Sequence, residues 1–385
     1  MFIYILIFIY LFRLAYVYDI KQKRNGSLNF HYIISCIILI TVAGVRYRIG
    51  YDTINYMNSF QIAPTLQELM NGAQLKGDLI WGYLMGFSKE IYNDFFVVQI
   101  LQSIIVNGFI FWFIKRQSPK PFLGVLLYFL LQWWNLCFEA MREAIAISFF
   151  LYGMDALLSG KGLKGYYLRV WPAVFAHTFG FITLFFPFVR YLRFNKFSIV
   201  VYIAIIVLLF SVKDYVNDIT MLIGMVSDDA VFKADKYFNS DTFGESNLSL
   251  MGIISLIIGY IFPCISIMFL LVRNQTKREQ NPLIPYVFIY ICFVILKIQI
   301  PIFYRFLNYF ELLVIVAFTQ ALFFEKNRLK LRLVSVSMML MILVRLYSLS
   351  SPDVGTDIEA YHRYLPYNSI FQKDFNHESE IIFSN

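Results

Sequence analysis

Long apolar runs separated by short basic segments dominate the pattern of this chain. Runs of roughly 17–23 apolar residues recur along its whole length, which is what a helix needs to cross a bilayer. The pattern predicts an all-α polytopic membrane protein with about ten transmembrane helices, and twelve as the upper count. It also predicts a single membrane domain, residues 1–385. The predicted spans are 2–18, 30–45, 95–114, 121–138, 142–158, 197–212, 249–271, 283–300, 308–324 and 333–349.

Two apolar stretches do not fit single crossings. Residues 79–92 would form a helix of about 21 Å, which is shorter than a hydrocarbon core of about 30 Å. Residues 166–190 have basic groups at both ends and contain Pro172 and Pro187. We therefore predict re-entrant segments near 79–92 and 166–190, the second being a hairpin with its tip near His177.

Charge between the spans predicts the orientation. Lys and Arg concentrate in short loops, which the positive-inside rule places in the cytoplasm. These basic loops contain Lys21, Lys23, Arg24, Lys115, Arg116, Lys120, Lys161, Lys164, Lys196, Arg273, Lys277, Arg278, Lys326, Arg328, Lys330 and Arg332. Both termini then lie outside, as do 46–78, the 139–142 turn and 301–307. Residues 213–248 are predicted to be an extracytoplasmic loop and 350–385 an extracytoplasmic C-terminal tail.

Composition excludes several function classes. The chain is 59% hydrophobic and 15% charged, and its mean hydropathy is +0.63. The net charge of +8 resides mainly in topology-setting loops, so it does not indicate a nucleic-acid partner. The four cysteines lie in apolar runs without metal spacing, and no Gly-rich phosphate loop or HExxH is present. We predict no metal and no cofactor. Residues 1–18 have no basic n-region or cleavage site and are expected to be a retained span.

Charged residues at the predicted outer face are the candidates for chemistry. Arg46, Arg48, Asp52 and Tyr56 directly follow a span, where charge is costly. Two neighbouring guanidiniums form a fork that suits phosphate, and residues four apart share a helix face. The alternative is that both arginines only anchor a helix end among lipid headgroups.

Two further candidates lie near the middle of the chain. Glu139, Arg142 and Glu143 have the spacing to share one helical surface, either as a binding site or as a helix-end salt bridge. His177 lies among apolar residues in VFAHTFG, and imidazole is the usual proton-transfer group near neutral pH. Its alternative is a satisfied histidine in the core.

The last candidates lie near the C-terminus. Arg305 is flanked by Tyr304 and Tyr309, which suits sugar stacking beside an anion site but also an interfacial aromatic belt. The tail segment 361–371 is rich in Tyr and either covers the outer face or binds saccharide. The arginines together predict a cationic cavity that opens outward and binds a lipid-linked diphosphate.

The order of these motifs resembles the EpsG/Wzy-type polysaccharide polymerases. GVRYRIGYDTINY, MREAIA, AHTFGF, YRFLNYF and YLPYNSIF follow one another between about residues 43 and 371. The family's pattern is met by Arg46, Gly50, Asp52, Tyr56, Arg142, Ala146, His177, Arg305, Tyr309 and Phe310. The resemblance implies a glycosyltransferase of the cytoplasmic (inner) membrane, active at the periplasmic face, that polymerises repeat units on undecaprenyl diphosphate. The product would be O-antigen of lipopolysaccharide, capsule or exopolysaccharide.

Site roles and partners follow from that resemblance. The expected catalytic residues are His177, Glu143 and Asp52, with His177 or Glu143 as the general base and Asp52 orienting an arginine or the acceptor. The expected substrate-binding residues are Arg46, Arg48, Tyr56, Glu139, Arg142, Arg305 and Tyr309. Of these, Arg46, Arg142 and Arg305 are expected to bind the diphosphates. The expected partners are the lipid-linked oligosaccharides, the bilayer, a chain-length regulator and a flippase.

Three rival functions are open to the same residues. A flippase for the lipid-linked sugar also needs a cationic cavity, but internal repeats are expected of it and none is visible. A membrane O-acyltransferase would need its His and Arg to reach a cytoplasmic donor. A structural subunit without catalysis would leave several costly charges unexplained.

Overall fold

The computed structural model describes residues 2–23, 26–50, 52–75, 78–194, 196–209, 250–273, 281–300, 303–350, 364–365 and 367–371. Within these ranges the chain is helical and contains no β-strand, and one isolated β-bridge joins Arg46 to Ser369. The predicted loop 213–248 and most of the tail 350–385 lie outside the described residues. By its contacts the chain divides into two compact units, Met1–Pro187 with Leu346–Asn385, and Phe188–Arg345.

The first unit is built from ten α-helices in its described part. They are α1 Phe2–Leu14, α2 Leu28–Gly44, α3 Thr53–Ile62, α4 Leu66–Met70, α5 Leu79–Ile91, α6 Phe95–Gln117, α7 Pro121–Leu131, α8 Met141–Leu158, α9 Gly162–Val170 and α10 Pro172–Ala176. A π-turn, Ala15–Ile20, continues α1, and another, Asn135–Glu139, precedes α8. The helix starts follow local sequence: Thr65 and Glu68 form a capping box, Asp94 caps α6, and Pro121 begins α7.

Helix α8 is the central element of this unit. It packs against α6, α9 and α10, and nearly all of its side chains are buried. Small residues permit the close approach: a Cβ on Gly153 would come within 3.1 Å of the Tyr166 ring. The two ends of α8 therefore lie in fixed surroundings.

The segment 166–190 reverses direction near His177. The Tyr166 and Tyr167 hydroxyls donate to the carbonyl oxygens of Thr183 and Leu184, at 2.5 and 2.9 Å. His177 has extended backbone between α10 and the 3₁₀ helix Thr178–Leu184, which is followed by a second one, Phe186–Tyr191. The chain thus forms a hairpin with its turn at His177. The depth of this hairpin in a bilayer, and that of the short helix α5, stay predictions.

The remaining helices of the described chain begin in the second unit. They are α11 Lys196–Leu209, α12 Leu250–Leu256, α13 Phe262–Arg273, α14 Ile284–Gln299, α15 Tyr304–Phe324 and α16 Arg328–Ser350. The π-turn Ile257–Ile261 joins α12 to α13. In its interior Arg345 donates from Nη2 to both carboxylate oxygens of the fully buried Glu311, at 2.8 and 2.7 Å.

Four helical segments in the described part of the chain are long and apolar enough to cross a membrane. They are Phe2–Ile20, Phe95–Gln117, Leu250–Val272 and Tyr304–Phe324. Shorter apolar helices occupy Leu28–Gly44, Pro121–Leu131, Thr178–Tyr191 and Ile284–Ile298. The helical membrane fold is confirmed at this level, whereas a count of about ten crossings stays a prediction.

Candidate functional site

An ion pair between distant segments lies at the start of α8. Arg142, in the first turn, donates from Nη1 to Oδ2 of Asp78 at 3.1 Å, and the two side chains are 39% and 9% exposed. A helix N-terminus carries a partial positive charge, so an arginine there concentrates positive potential. Asp78 compensates that charge while the Arg142 side chain stays partly exposed.

Asp78 was not among the residues singled out from sequence. It directly precedes α5, a position where a carboxylate usually caps the helix. Here the side chain makes no capping bond and instead also accepts from Thr178 Oγ1, at 3.3 Å. Burial raises the pKa of Asp78 above its usual range, and the neighbouring Arg142 and Thr178 limit that rise. In the sequence, an aspartate just before a helix looks like an ordinary cap, even when its carboxylate binds another segment, as Asp78 does here.

Aromatic rings form one side of this pair. The Arg142 guanidinium carbon lies 5.6 Å from the centre of the Tyr56 ring, which is 5.3 Å from that of Trp81. The Tyr56 hydroxyl donates to the Glu139 carbonyl oxygen at 3.0 Å. Arg142, Asp78, Tyr56 and Thr178 form what we call the Arg142 cluster. It brings together a cation, a carboxylate and an aromatic surface, which suits an anionic sugar substrate.

The two other sequence candidates for proton transfer are largely enclosed. His177 is 6% exposed and precedes Thr178, so it adjoins the Arg142 cluster. Its Nδ1 accepts from the Phe179 N–H at 3.3 Å, which places the proton of a neutral imidazole on Nε2. Glu143 is 2% exposed in the first turn of α8.

Arg46 is fully buried beside this site. Its guanidinium donates to the carbonyl oxygens of Ala43 and Ile49 and to Met141 Sδ, and it lies 4.7 Å from the centre of the Phe138 ring. Burial lowers the pKa of Arg46 to about 10, which leaves the side chain charged at neutral pH. These contacts hold the segment after α2 against the turn before α8. Diphosphate binding by Arg46 stays a prediction that requires this segment to open.

The rest of the 46–56 segment is shaped by the same contact. Gly50 has a φ of +108°, and a Cβ there would overlap the Phe138 carbonyl oxygen, so glycine is required. Arg48 also has positive φ, and with Asp94 it lines a pocket of only about 10 Å³. Asp52 takes the capping position of α3 without a capping bond from its side chain.

The described part of the tail lies across this segment. The Tyr47 N–H donates to the Asn368 carbonyl oxygen and the Ile370 N–H to that of Val45, both at 2.9 Å. Tyr367 donates its hydroxyl to the Val42 carbonyl oxygen at 2.9 Å. The tail therefore closes over the chain beside Arg46. His362 and Arg363 lie outside the described residues.

Arg305 and Tyr309 belong to the second unit. The Arg305 guanidinium carbon lies 5.7 Å from the centre of the Tyr304 ring, and Tyr309 is fully buried in α15. Participation of either residue in the same site as Arg142 stays a prediction. Among the described residues, no group of three or more His, Cys, Asp and Glu side chains is arranged to hold a metal ion.

Comparison with known proteins gives one match. The family model described as "EpsG family" matches residues 29–369, which is most of the chain. The matched range contains every residue of the Arg142 cluster. No curated protein and no solved structure matches the chain.

Proposed function

Because the chain belongs to the EpsG family of Wzy/EpsG-type polysaccharide polymerases, we propose that it joins lipid-linked oligosaccharide repeat units into a surface polysaccharide. The donor is a growing glycan on undecaprenyl diphosphate, and the acceptor is one repeat unit on the same carrier. The protein lies in the cytoplasmic membrane, which is the inner membrane of a Gram-negative cell. Its site faces the periplasm or the outside, where a flippase delivers the units and a chain-length regulator acts with it.

The reaction exchanges one bond to the anomeric carbon of the donor. The bond to the diphosphate oxygen breaks, and undecaprenyl diphosphate leaves with the electron pair. The acceptor hydroxyl oxygen forms the new bond to that carbon, and its proton passes to a base. Negative charge grows on the leaving diphosphate, so a cation already held in position there lowers the barrier.

The observation that carries the proposal is the partly exposed, oriented side chain of Arg142. Asp78 orients it at 3.1 Å, yet the Arg142 side chain remains 39% exposed. The N-terminus of α8 adds its partial positive charge at the same place. Arg142 would bind the departing diphosphate, and the Tyr56 and Trp81 rings would contact the adjoining sugar.

Proton transfer is assigned from the same geometry. His177 is oriented as a donor at Nε2, so we assign it a hydrogen bond to the departing diphosphate rather than the role of base. Asp78 takes the acceptor's proton, because it is a carboxylate within the cluster and burial raises its pKa. We therefore assign the role of carboxylate base to Asp78 rather than to Glu143, which is almost wholly enclosed.

The proposed orientation rests on charge and contacts together. Segments that the positive-inside rule places outside, including 46–78 and the 139–142 turn, contact one another around the start of α8. The basic residues Arg116 and Arg169 lie at the other end of that helix, where both contact Asp155. This distribution supports an outward-facing site and weakens the acyltransferase alternative.

The test is deletion of the gene in its own host, followed by complementation and electrophoresis of the surface polysaccharide. A polymerase deletion collapses the ladder to a core bearing one repeat unit, and Arg142→Ala fails to restore the ladder at equal protein level. Arg328→Ala, which removes an exposed arginine at the start of α16, restores it.

Three results would contradict the proposal. Loss of even the single repeat unit, with precursor accumulating inside, would indicate a flippase. An unchanged ladder with altered mobility would indicate an acyltransferase. A normal ladder from Arg142→Ala would remove the diphosphate-binding role of this residue.

A further inference from the structure

A groove lies along α6 at the end of α8 that is remote from Arg142. Its volume is about 600 Å³. Asp155, at this end, follows Arg142 by 13 residues in the same helix, or about 20 Å. The groove is lined by Ile104, Ile105, Gly108, Phe109, Trp112, Arg116, Tyr152, Asp155, Lys161 and Arg169. It is therefore separate from the Arg142 cluster.

The mouth of the groove is cationic, and one buried carboxylate positions two of its arginines. The side chain of Asp155 is fully enclosed and accepts from Arg116 Nε at 2.6 Å and Arg169 Nη1 at 3.2 Å. Gln117 donates to the same carboxylate at 2.8 Å. With Lys161, three cationic side chains face one carboxylate among the lining residues, and Arg116 is 44% exposed. The mouth retains positive charge and has an accessible guanidinium.

The floor of the groove is apolar and follows one helix. Residues 104, 105, 108, 109 and 112 of α6 recur at helical spacing below Arg116, over about 18 Å. A Cβ built on Gly108 would have no atom within 4 Å, so the floor is open there. A soluble anion would use only the mouth, whereas the floor accommodates a chain of methylene groups.

We propose that this groove binds an anionic phospholipid of the cytoplasmic leaflet. The phosphate lies against Arg116 and Lys161, and one acyl chain lies over Gly108 along α6. The charge at the mouth complements a phosphate, and the apolar floor complements a hydrocarbon chain. Arg116, at the end of α6, and Lys161, directly before α9, belong to segments that the positive-inside rule places next to that leaflet. The site is distinct from the one proposed for the lipid-linked substrate.

The test measures phospholipid bound to the purified, delipidated full chain in detergent by native mass spectrometry. Phosphatidylglycerol, phosphatidylcholine and inorganic phosphate are the three probes. We expect retention of phosphatidylglycerol over phosphatidylcholine, and weakening by about tenfold in Arg116→Gln because a charged hydrogen bond is lost. Gly108→Leu should displace the phospholipid by filling the floor.

The variants are chosen to fold. Leucine has a higher helix propensity than glycine, and the position of its Cβ is open. Arg116→Gln keeps a donor for Asp155. Lys164→Gln is the matched control, because Lys164 is an exposed cation near the groove that does not line it. A thermal unfolding curve of each variant establishes that it is folded.

Specific results would overturn the proposal. Equal retention of phosphatidylglycerol by Gly108→Leu and the wild type would place the lipid elsewhere. Equal binding of both phospholipids would remove the role of the cationic mouth. Binding of inorganic phosphate as tight as that of phosphatidylglycerol, and unaffected by Gly108→Leu, would reduce the groove to an anion site.

Discussion

The two ends of α8 solve the same electrostatic problem in different ways. Each end carries a residue whose charge opposes the helix dipole: Arg142 lies in the positive first turn and Asp155 in the negative last turn. Each is compensated by partners from other helices or loops. Among the described residues, Asp78 is the one ion-pair partner of Arg142, whereas Arg116 and Arg169 together hold Asp155.

The difference between the ends lies in which partner is exposed. At the first turn the accessible side chain is the arginine of a one-to-one pair, so an arriving anion competes with Asp78 for it. At the last turn the Asp155 carboxylate is fully enclosed and is shared by two arginines. One positive charge there is not neutralised, so an anion can bind without breaking either ion pair. The first arrangement suits a reacting diphosphate that arrives and leaves, and the second suits a resident headgroup.

The largest expected effect comes from removing the exposed arginine of the first pair. Arg142→Ala should lower polymer formation by about a hundredfold or more, which is typical of deleting a group that stabilises developing charge. Arg142→Lys should recover part of that loss, since a lysine keeps the charge but not the forked geometry. Repeat-unit polymerisation in isolated membranes measures both. Equal activity of the alanine and lysine variants would show that the positive charge at position 142 does not contribute to the rate.

The two carboxylates provide the most direct contrast. Asp155→Asn should destabilise the protein by about 2 kcal/mol, because two arginines lose their shared counterion, and the exposure of Arg116 limits the cost. Asp78→Asn should abolish polymerisation with a smaller loss of stability, since Arg142, with which Asp78 pairs, is partly exposed. Thermal unfolding in detergent and the polymerisation assay are both needed. The comparison fails if Asp155→Asn affects only activity and Asp78→Asn only stability.

The role of His177 is tested by two substitutions that differ in whether a hydrogen-bond donor remains. His177→Gln keeps a donor and should retain measurable polymerisation, whereas His177→Phe should lose roughly tenfold more because the hydrogen bond to the departing group is gone. Rates are measured at matched protein levels. A general-base role would instead make both variants equally inactive.

The pH dependence of polymerisation should report on Asp78. Only the ionised carboxylate forms an ion pair with Arg142 and takes a proton, so activity falls as pH drops through its pKa. Because burial raises that pKa above the ordinary value of about 3.9, the acid limb should begin at a higher pH than for an exposed aspartate. An initial-rate profile in vesicles locates the limb. Asp78→Glu should shift it if Asp78 is the titrating group, and an unmoved limb would assign it elsewhere.

Much of the helical framework could be predicted from the hydrophobic pattern. Each predicted span overlaps a helix in the described part of the chain, and the reversal near His177 follows from the interrupted run at 166–190. These features are local, because a helix forms from residues that are close in sequence. The number of crossings requires lengths and depths that the pattern does not define.

The ion pairs between distant segments could not be predicted from the sequence, because their members are far apart along the chain. Arg142 and Asp78 are separated by 64 residues, and Asp155 lies 39 residues from Arg116. Helical spacing instead grouped Arg142 with Glu139 and Glu143, which are its neighbours in sequence. Asp78 matched a helix cap, and only its missing capping bond reveals that it serves another segment.

The smallest expected effect tests whether the aromatic side of the first pair acts through its ring or its hydroxyl. Tyr56→Phe removes the hydrogen bond to the Glu139 carbonyl oxygen and should cost about 1 kcal/mol of stability. The ring remains beside Arg142 and Trp81, so polymerisation should stay near the wild-type rate, whereas Tyr56→Leu should lower it. Tyr32→Phe, which removes a buried hydroxyl bond to the Phe111 carbonyl oxygen outside the Arg142 cluster, controls for stability alone. If Tyr56→Phe is as inactive as Tyr56→Leu, the hydroxyl rather than the ring serves the substrate. The aromatic surface beside Arg142 would then not contribute to activity at the first turn of α8.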